Sequence, residues 1–199
     1  MIFTQPLIRK AMQFPPGRFL PQCWPYFELY CEQYEINTTL REAAFFATLI
    51  VESDHFKTTV EYASGTAYTT RADLGNTSKP AIDAADRAGA IVGPFYKGHG
   101  LIQVTGFLNH KWMSEEMGED FINYPTKLCL PDQAVRSACI FWRGGVVKKA
   151  GHDLNIHADA GDFLASQRAV NRGNPLSRYD PIGWADREGY YNKLLEAAQ

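Results

Sequence analysis

Thr39-Leu40-Arg41-Glu42-Ala43-Ala44-Phe45-Phe46-Ala47-Thr48-Leu49-Ile50-Val51-Glu52 is the stretch on which the fold turns. Thr39 followed three residues later by Glu42 has the spacing of a capping box, in which each side chain satisfies an orphan backbone N–H of the first turn. Ala43, Phe46, Ala47 and Ile50 then recur at three- and four-residue intervals, which predicts a helix ending at about Glu52 or Ser53. Its remaining faces are apolar as well, so the helix is expected inside the protein.

Further helical patterns lie on both sides. From Pro21, residues Trp24, Phe27, Cys31 and Tyr34 share one face, and Pro21 and Pro25 are tolerated in or before a first turn. Pro131 opens a second run through Ala134, Val135, Ala138 and Trp142 that stops at Gly144-Gly145. Asp162 to Val170 and Ala185 to Ala197 read as two more helices. Residues 1–19 read as an irregular N-terminal segment broken by Pro15-Pro16-Gly17, and 20–199 as one domain. From about 54 to 110 the chain is rich in Gly, Thr and Asp, with no alternation long enough for a large sheet. A mainly α fold follows, with functional loops between helices.

The 199 residues suffice for one domain with a real core. A net charge of −2 without a polybasic block argues against a nucleic-acid binder. No stretch has the ~18 unbroken apolar residues of a membrane span. Met1 to Lys10 shows no basic start followed by an apolar run, so no secretory signal peptide is expected, and action outside the cytoplasm would need another route. Cys23, Cys31, Cys129 and Cys139 fit no C-x-x-C pattern; two buried pairs of free thiols are preferred over one structural disulfide. His55, His99, His110, His152 and His157 have no metal-ligand spacing, so no metal or cofactor is expected; His152 and His157, with Asp153 and Asp159, read as solvated loop residues. Of the tryptophans, Trp142 reads as core, while Trp112 and Trp184 are candidates to stack on sugars. Asn37-Thr38-Thr39 and Asn76-Thr77-Ser78 have the form of glycosylation sequons.

Glu52 ends the buried helix behind Phe45, Phe46, Leu49, Ile50 and Val51. The negative end of the helix dipole and the apolar neighbours both favour a protonated carboxyl there, as a general acid requires. Glu61 stands nine residues on, in a segment that reads as exposed and suited to an ionised carboxylate. Two carboxyls held in different protonation states suit glycosidic cleavage. A third segment, Phe95 to Gly106 (FYKGHGLIQVTG), alternates Gln103 and Thr105 with Ile102 and Val104; an extended backbone would present the amide and hydroxyl on one face.

Five pieces in order resemble glycoside hydrolase family 19, the chitinase and endolysin family of the lysozyme-like superfamily, and its compact bacterial and phage members most. Thr39–Phe56 resembles the helix that ends in the catalytic acid. Glu61–Asn76 (EYASGTAYTTRADLGN) resembles the segment with the second carboxylate and Tyr-x-x-Arg-x-x-Leu-Gly-Asn. Lys97–Gly106 resembles G-x-G-L-I-Q-x-T-G, Ala169–Gly173 (AVNRG) the I-N-G-G turn, and Ala185–Tyr191 (ADREGYY) the start of the last helix. The resemblance implies a lysozyme-like, two-lobed helical fold with a central substrate cleft. It implies an inverting mechanism with Glu52 as general acid, Glu61 as general base and Thr105 helping to hold the water. Gln103, Asn109 and Asn171 are implied as contacts to N-acetyl sugars, with Tyr96 and His99 beside them, and Arg187 as the cation near the acid.

Three departures stand out. His99 replaces an arginine, and we read it as a structural donor. Arg172 replaces the first glycine of I-N-G-G, which puts that turn's geometry in question. Ser78 to Gly93 is longer than the usual link, and 78–93 is expected to form an inserted loop or short helix beside the cleft. The substrate favoured is peptidoglycan, because the chain resembles the compact lytic members and shows no chitin-binding module. Chitin is the alternative, and a non-catalytic glycan binder the other class. A monomer is expected, acting at the bacterial cell wall after holin-dependent release or dedicated secretion; a secreted effector would be paired with an immunity protein.

Overall fold

The buried helix is the axis of the fold. The computed structural model describes residues 1–13, 15–144 and 153–199; the readings placed on Gly145 and His152 fall outside them. In chain order the α-helices are α1 (Gln5–Met12), α2 (Phe19–Gln33), α3 (Thr39–Glu52), α4 (Lys79–Arg87), α5 (Val92–Phe95), α6 (Phe107–Met117), α7 (Pro131–Gly144), α8 (Leu154–Asp159), α9 (Phe163–Arg172) and α10 (Trp184–Ala197). Every residue of α3 from Glu42 to Ile50 is buried. The helix is walled by α10, α8 and α9, and α2 packs against α7. Phe27 of α2 meets Phe45 and Phe46 of α3, and Phe56 beyond it, edge-on with ring centroids 5.2–6.3 Å apart, an arrangement worth more than its area alone.

The helix start is built differently from the capping-box reading. The cap is Thr38, whose hydroxyl accepts from Arg41 N at 3.3 Å. Glu42 is instead fully buried and accepts from the backbone of Ile2 (2.8 and 2.9 Å) and Phe3 (2.8 Å). Burial raises its carboxyl's pKa, and those backbone bonds oppose the rise. The N-terminal segment is therefore not irregular throughout. It forms α1, which carries Pro6 in its first turn and buries Ile8, Ala11 and Met12. Eight residues are too short for periodicity to announce them.

Among the described residues, buried apolar side chains gather in two clusters. The larger surrounds α3. The smaller contains Ala81, Ala84, Ala85, Val92, Tyr96 and Phe107, so the 78–93 insertion folds as α4 and α5 with a small core of its own. α6 escaped the sequence reading because two of its buried positions are polar, Asn109 and His110, which erases the apolar stripe.

Trp142 is core, its indole N–H donating to Asn155 Oδ1 at 2.9 Å. Trp112 is buried too, which removes it as a sugar platform, and Trp184 packs on Phe163 with ring centroids 5.7 Å apart. All four cysteines are free; Cys23, Cys31 and Cys139 are buried and Cys129 partly so. His157 lies on α8 rather than in a loop, Asp153 caps that helix, and Asp159 pairs with Arg41. Among the described residues, no helix is long and apolar enough to cross a membrane, and no group of three or more His, Cys, Asp or Glu is placed to hold a metal ion.

Candidate active site

Glu52 is the last residue of α3. Ser53 closes the helix, its hydroxyl donating to Leu49 O (2.6 Å) and accepting from Phe56 N (2.9 Å). Asp54, His55 and Phe56 then all take left-handed backbone, with φ of 47°, 60° and 62°. For residues with a Cβ this costs roughly 1–2 kcal/mol each, so it persists only where the surroundings impose it. Here they do. His55 N donates to Ile50 O and Gly17 N to His55 O, both at 2.7 Å, and the Phe56 ring is fully buried. Behind this strained turn the chain comes back past the end of α3: Tyr62 donates its hydroxyl to Asp54 Oδ2 at 3.0 Å.

One carboxyl is held by a buried cation. Arg187, 2% exposed in the first turn of α10, donates from Nη2 to Glu52 Oε1 at 2.6 Å. Its Nη1 donates to Gln167 Oε1 and its Nε to the Ile182 carbonyl, each at 2.9 Å. Gln167 in turn donates to Thr48 Oγ1 at 2.7 Å. The guanidinium is thus fixed on three sides and cannot swing away from the acid. Asn171 joins this group through Ile182, whose N–H it accepts at 2.9 Å.

The other carboxyl is held by a loop. Glu61 Oε2 accepts from Gly98 N (2.9 Å), and Glu61 N donates to Gly98 O (2.9 Å). Lys97 Nζ caps the Glu61 carbonyl at 3.1 Å. Position 98 is crowded: an added Cβ would lie 2.5 Å from Gln103 Oε1 and 3.2 Å from Glu61 Cβ, so a larger residue would push on both side chains. Gln103 therefore sits directly beside the second carboxylate. Thr105 donates to the Gln103 carbonyl (2.9 Å), and Asn109, buried at the start of α6, donates to the Thr105 carbonyl (2.6 Å). Glu61, Gln103, Thr105 and Asn109 form one group; Glu52, Arg187 and Asn171 form the other.

Segment 99–104 is not the extended strand expected. His99 N to Val104 O (3.1 Å) and Val104 N to His99 O (2.8 Å) close a tight turn, with Gln103 at φ 59°. The expected two-faced burial survives within it: Ile102 and Val104 are buried, Gln103 and Thr105 half-buried.

Tyr96 and His99, placed beside the implied sugar contacts, both lie inside the protein; for Tyr96 this is a correction, and for His99 it agrees with the structural-donor reading. Tyr96 is fully buried in the small cluster, where its hydroxyl donates to Ile122 O at 2.7 Å and burial pushes it up to about 12. His99 is buried against His110, with 3.2 Å between Nδ1 and Nε2. Both are structural. Arg172 is still helical, and only Gly173 takes the left-handed cap, at φ 69°; the missing first glycine leaves the turn intact. The Asn76 sequon is unusable as a sugar acceptor, since the buried amide donates to Tyr68 O (2.9 Å) and accepts from Phe107 N (2.8 Å).

Sequence reasoning passed over Tyr68. Its hydroxyl donates to Glu61 Oε1 at 2.8 Å, and burial followed by that carboxylate raises its pKa. Only its place in Tyr-x-x-Arg-x-x-Leu-Gly-Asn marked it. A hydrogen bond to a charged group is worth ~1.5–3 kcal/mol. Tyr68→Phe is therefore expected to lower kcat/KM by roughly tenfold or more with little change in melting temperature; steady-state kinetics on any cleaved substrate checks it.

The histidine pair predicts acid sensitivity. Burial, then Lys97, pulls His99 down to about 4; burial, then His99, pulls His110 down to about 3. An unfolded imidazole takes up a proton near 6.5. Below that pH protons favour the unfolded chain, so this stability is fully present above about pH 6.5 and declines as pH falls towards about 4 and then 3. The urea midpoint is expected to drop clearly between pH 7.5 and 4.5 at unchanged slope; equal midpoints would contradict the buried pair.

Comparison with solved structures places the fold. Chitinase C from Streptomyces griseus HUT6037 superposes with a TM-score of 0.72 over 99% of this chain and 92% of its own, at 16% identity. A bacterial family 19 chitinase gives 0.70 over 100% and 95%, at 15% identity. The family 19, class IV chitinase of Zea mays gives 0.58 over 98% and 81%, at 20% identity. No family model matches the sequence. The chain has the lysozyme-like helical fold of the family 19 chitinases.

Proposed function

We propose that this protein is an inverting glycoside hydrolase that cuts β-1,4 bonds in polymers of N-acetylated amino sugars. The observation that carries the reading is that two carboxyls are held in different ways. Glu52 is clamped by a buried arginine, and Glu61 is gripped by Tyr68 and the Gly98 amide beside Gln103 and Thr105. In this mechanism Glu52 passes its proton to the leaving glycosidic oxygen. Glu61 takes a proton from a water that attacks the anomeric carbon from the opposite face. The Thr105 hydroxyl already donates to Gln103 O, which leaves its lone pairs for that water. Arg187 stays close to Glu52 and stabilises the charge left there when the proton departs.

Peptidoglycan is the substrate favoured, cut between N-acetylmuramic acid and N-acetylglucosamine. The resemblance to compact lytic enzymes supports it, and the enzyme would reach the wall by holin-dependent release or dedicated secretion. Chitin is a second reading, favoured by the chitinases whose fold the chain shares. The test incubates the protein and its Glu52→Gln variant with peptidoglycan sacculi and with chitin oligomers and analyses the products by mass. Reducing muramic ends from the parent alone are expected. Anhydro-muramyl products would contradict two-carboxylate hydrolysis. Equal inactivity of both proteins on both polymers would favour the glycan-binder reading over the hydrolase.

A further inference from the structure

The segment that joins α9 to α10 does more than connect them. Between Asn174 and Ile182 three large apolar side chains face solvent: Leu176 is 87%, Tyr179 58% and Ile182 68% exposed. The backbone that carries them is tied at several points. Arg172 donates from Nε and Nη2 to Asp180 O at 3.1 and 2.8 Å, and Arg168 to Asp180 Oδ1 at 2.8 Å. Leu176 N donates to Asn174 Oδ1, and Ile182 N to Asn171 Oδ1, each at 2.9 Å. A tied loop that leaves apolar area in water is the pattern of a binding surface.

Its position says what it meets. The Ile182 carbonyl is one of the three anchors of Arg187, the cation on Glu52. A Cβ at Gly183 would touch Val51 at 3.9 Å, one residue before Glu52. The Ile182 end of the loop therefore borders the Glu52 side of the site. Its charge says which polymer. Positions 168–182 hold three arginines and one aspartate. The exposed Arg178 guanidinium lies 4.7 Å above the Tyr179 ring, one face of which it covers. Chitin is uncharged and offers an exposed arginine only neutral hydroxyl and acetamide acceptors. The peptide stems of peptidoglycan bear carboxylates, which a guanidinium binds with strong, directional hydrogen bonds.

The geometry points to the 176–182 loop as a specificity subsite: Arg178 binds a carboxylate of the muramyl peptide stem while Tyr179 and Ile182 cover the adjoining sugar. This rests on the hydrolase reading and names its substrate class. The test measures kcat/KM on intact sacculi and on glycan strands stripped of stems by an amidase, for the parent, Arg178→Glu and Arg178→Lys. For Arg178→Glu the intact-to-stripped ratio is expected to fall at least tenfold, and for Arg178→Lys to fall less. A ratio unchanged in Arg178→Glu overturns the inference, as does a parent that cleaves stripped strands or chitin hexamers better than intact wall. A second arm separates the two readings. Glu52→Gln and Glu52→Gln/Arg178→Glu are sedimented with sacculi. Weaker binding by the double variant supports the stem contact even if the parent proves inactive, and equal binding rejects it.

Discussion

Glu61→Gln is expected to lower kcat by about 10²–10⁴-fold, the range for loss of a general base, while the protein melts within a few degrees of its parent. The substitution keeps the side chain's size but turns one oxygen into an NH₂. Both oxygens of Glu61 now accept, one from the Tyr68 hydroxyl and one from Gly98 N. The amide can serve only one of these donors and cannot take a proton from water. Because Glu61 is not core, the loss should appear in turnover rather than in folding. Azide, a nucleophile that needs no deprotonation, should restore part of the rate to Glu61→Ala and leave an α-linked glycosyl azide. If Glu61→Gln turned over within threefold of the parent, Glu61 would not be the base.

The second large effect lies far from any carboxylate in sequence. Gly17→Ala is expected to destabilise the protein by about 3 kcal/mol or more, above the usual range for overpacking. The melting temperature should fall by about 6–12 °C. Gly17 is pressed against the left-handed turn behind Glu52. A Cβ there would lie 2.1 Å from Phe56 O, 2.2 Å from Phe56 C and 2.3 Å from Lys57 N. All three are backbone atoms, so no side-chain rotation relieves the collision. The turn already stores strain in three consecutive residues, and the Gly17 to His55 hydrogen bond is part of what holds it. Displacing it should also move Glu52, so activity should fall more steeply than the folded fraction. A thermal melt and an assay at equal folded concentration check both parts; an unchanged melting temperature would sink the account.

The extent to which the site was legible differs by residue. Glu52, Glu61, Gln103 and Thr105 stood out because each lies in a short local pattern, and Arg187 because it opens the last helix's motif. Tyr68 was silent, since nothing local links a tyrosine's hydroxyl to a carboxylate seven residues earlier. Tyr96 was misplaced for the opposite reason: it sits within the most distinctive motif, yet it closes α5 and packs into the small core beside Phe107. Arg172 looked like a defect in a glycine turn, whereas the left-handed position is one residue later, at Gly173.

The amino-acid sequence alone determined a mainly helical protein built around an apolar helix, because helical periodicity is written in spacings of three and four residues that no distant contact alters. It likewise marked the two carboxyls. Tertiary structure decided how those groups are held: Glu42 buried under the N-terminal backbone, the left-handed turn locked by Gly17, Arg187 of α10 brought onto Glu52 of α3, and a second small core made from the insertion. Each depends on residues tens to more than a hundred positions apart meeting in space, and hydrogen bonding and packing at such separations leave no periodic trace in the chain.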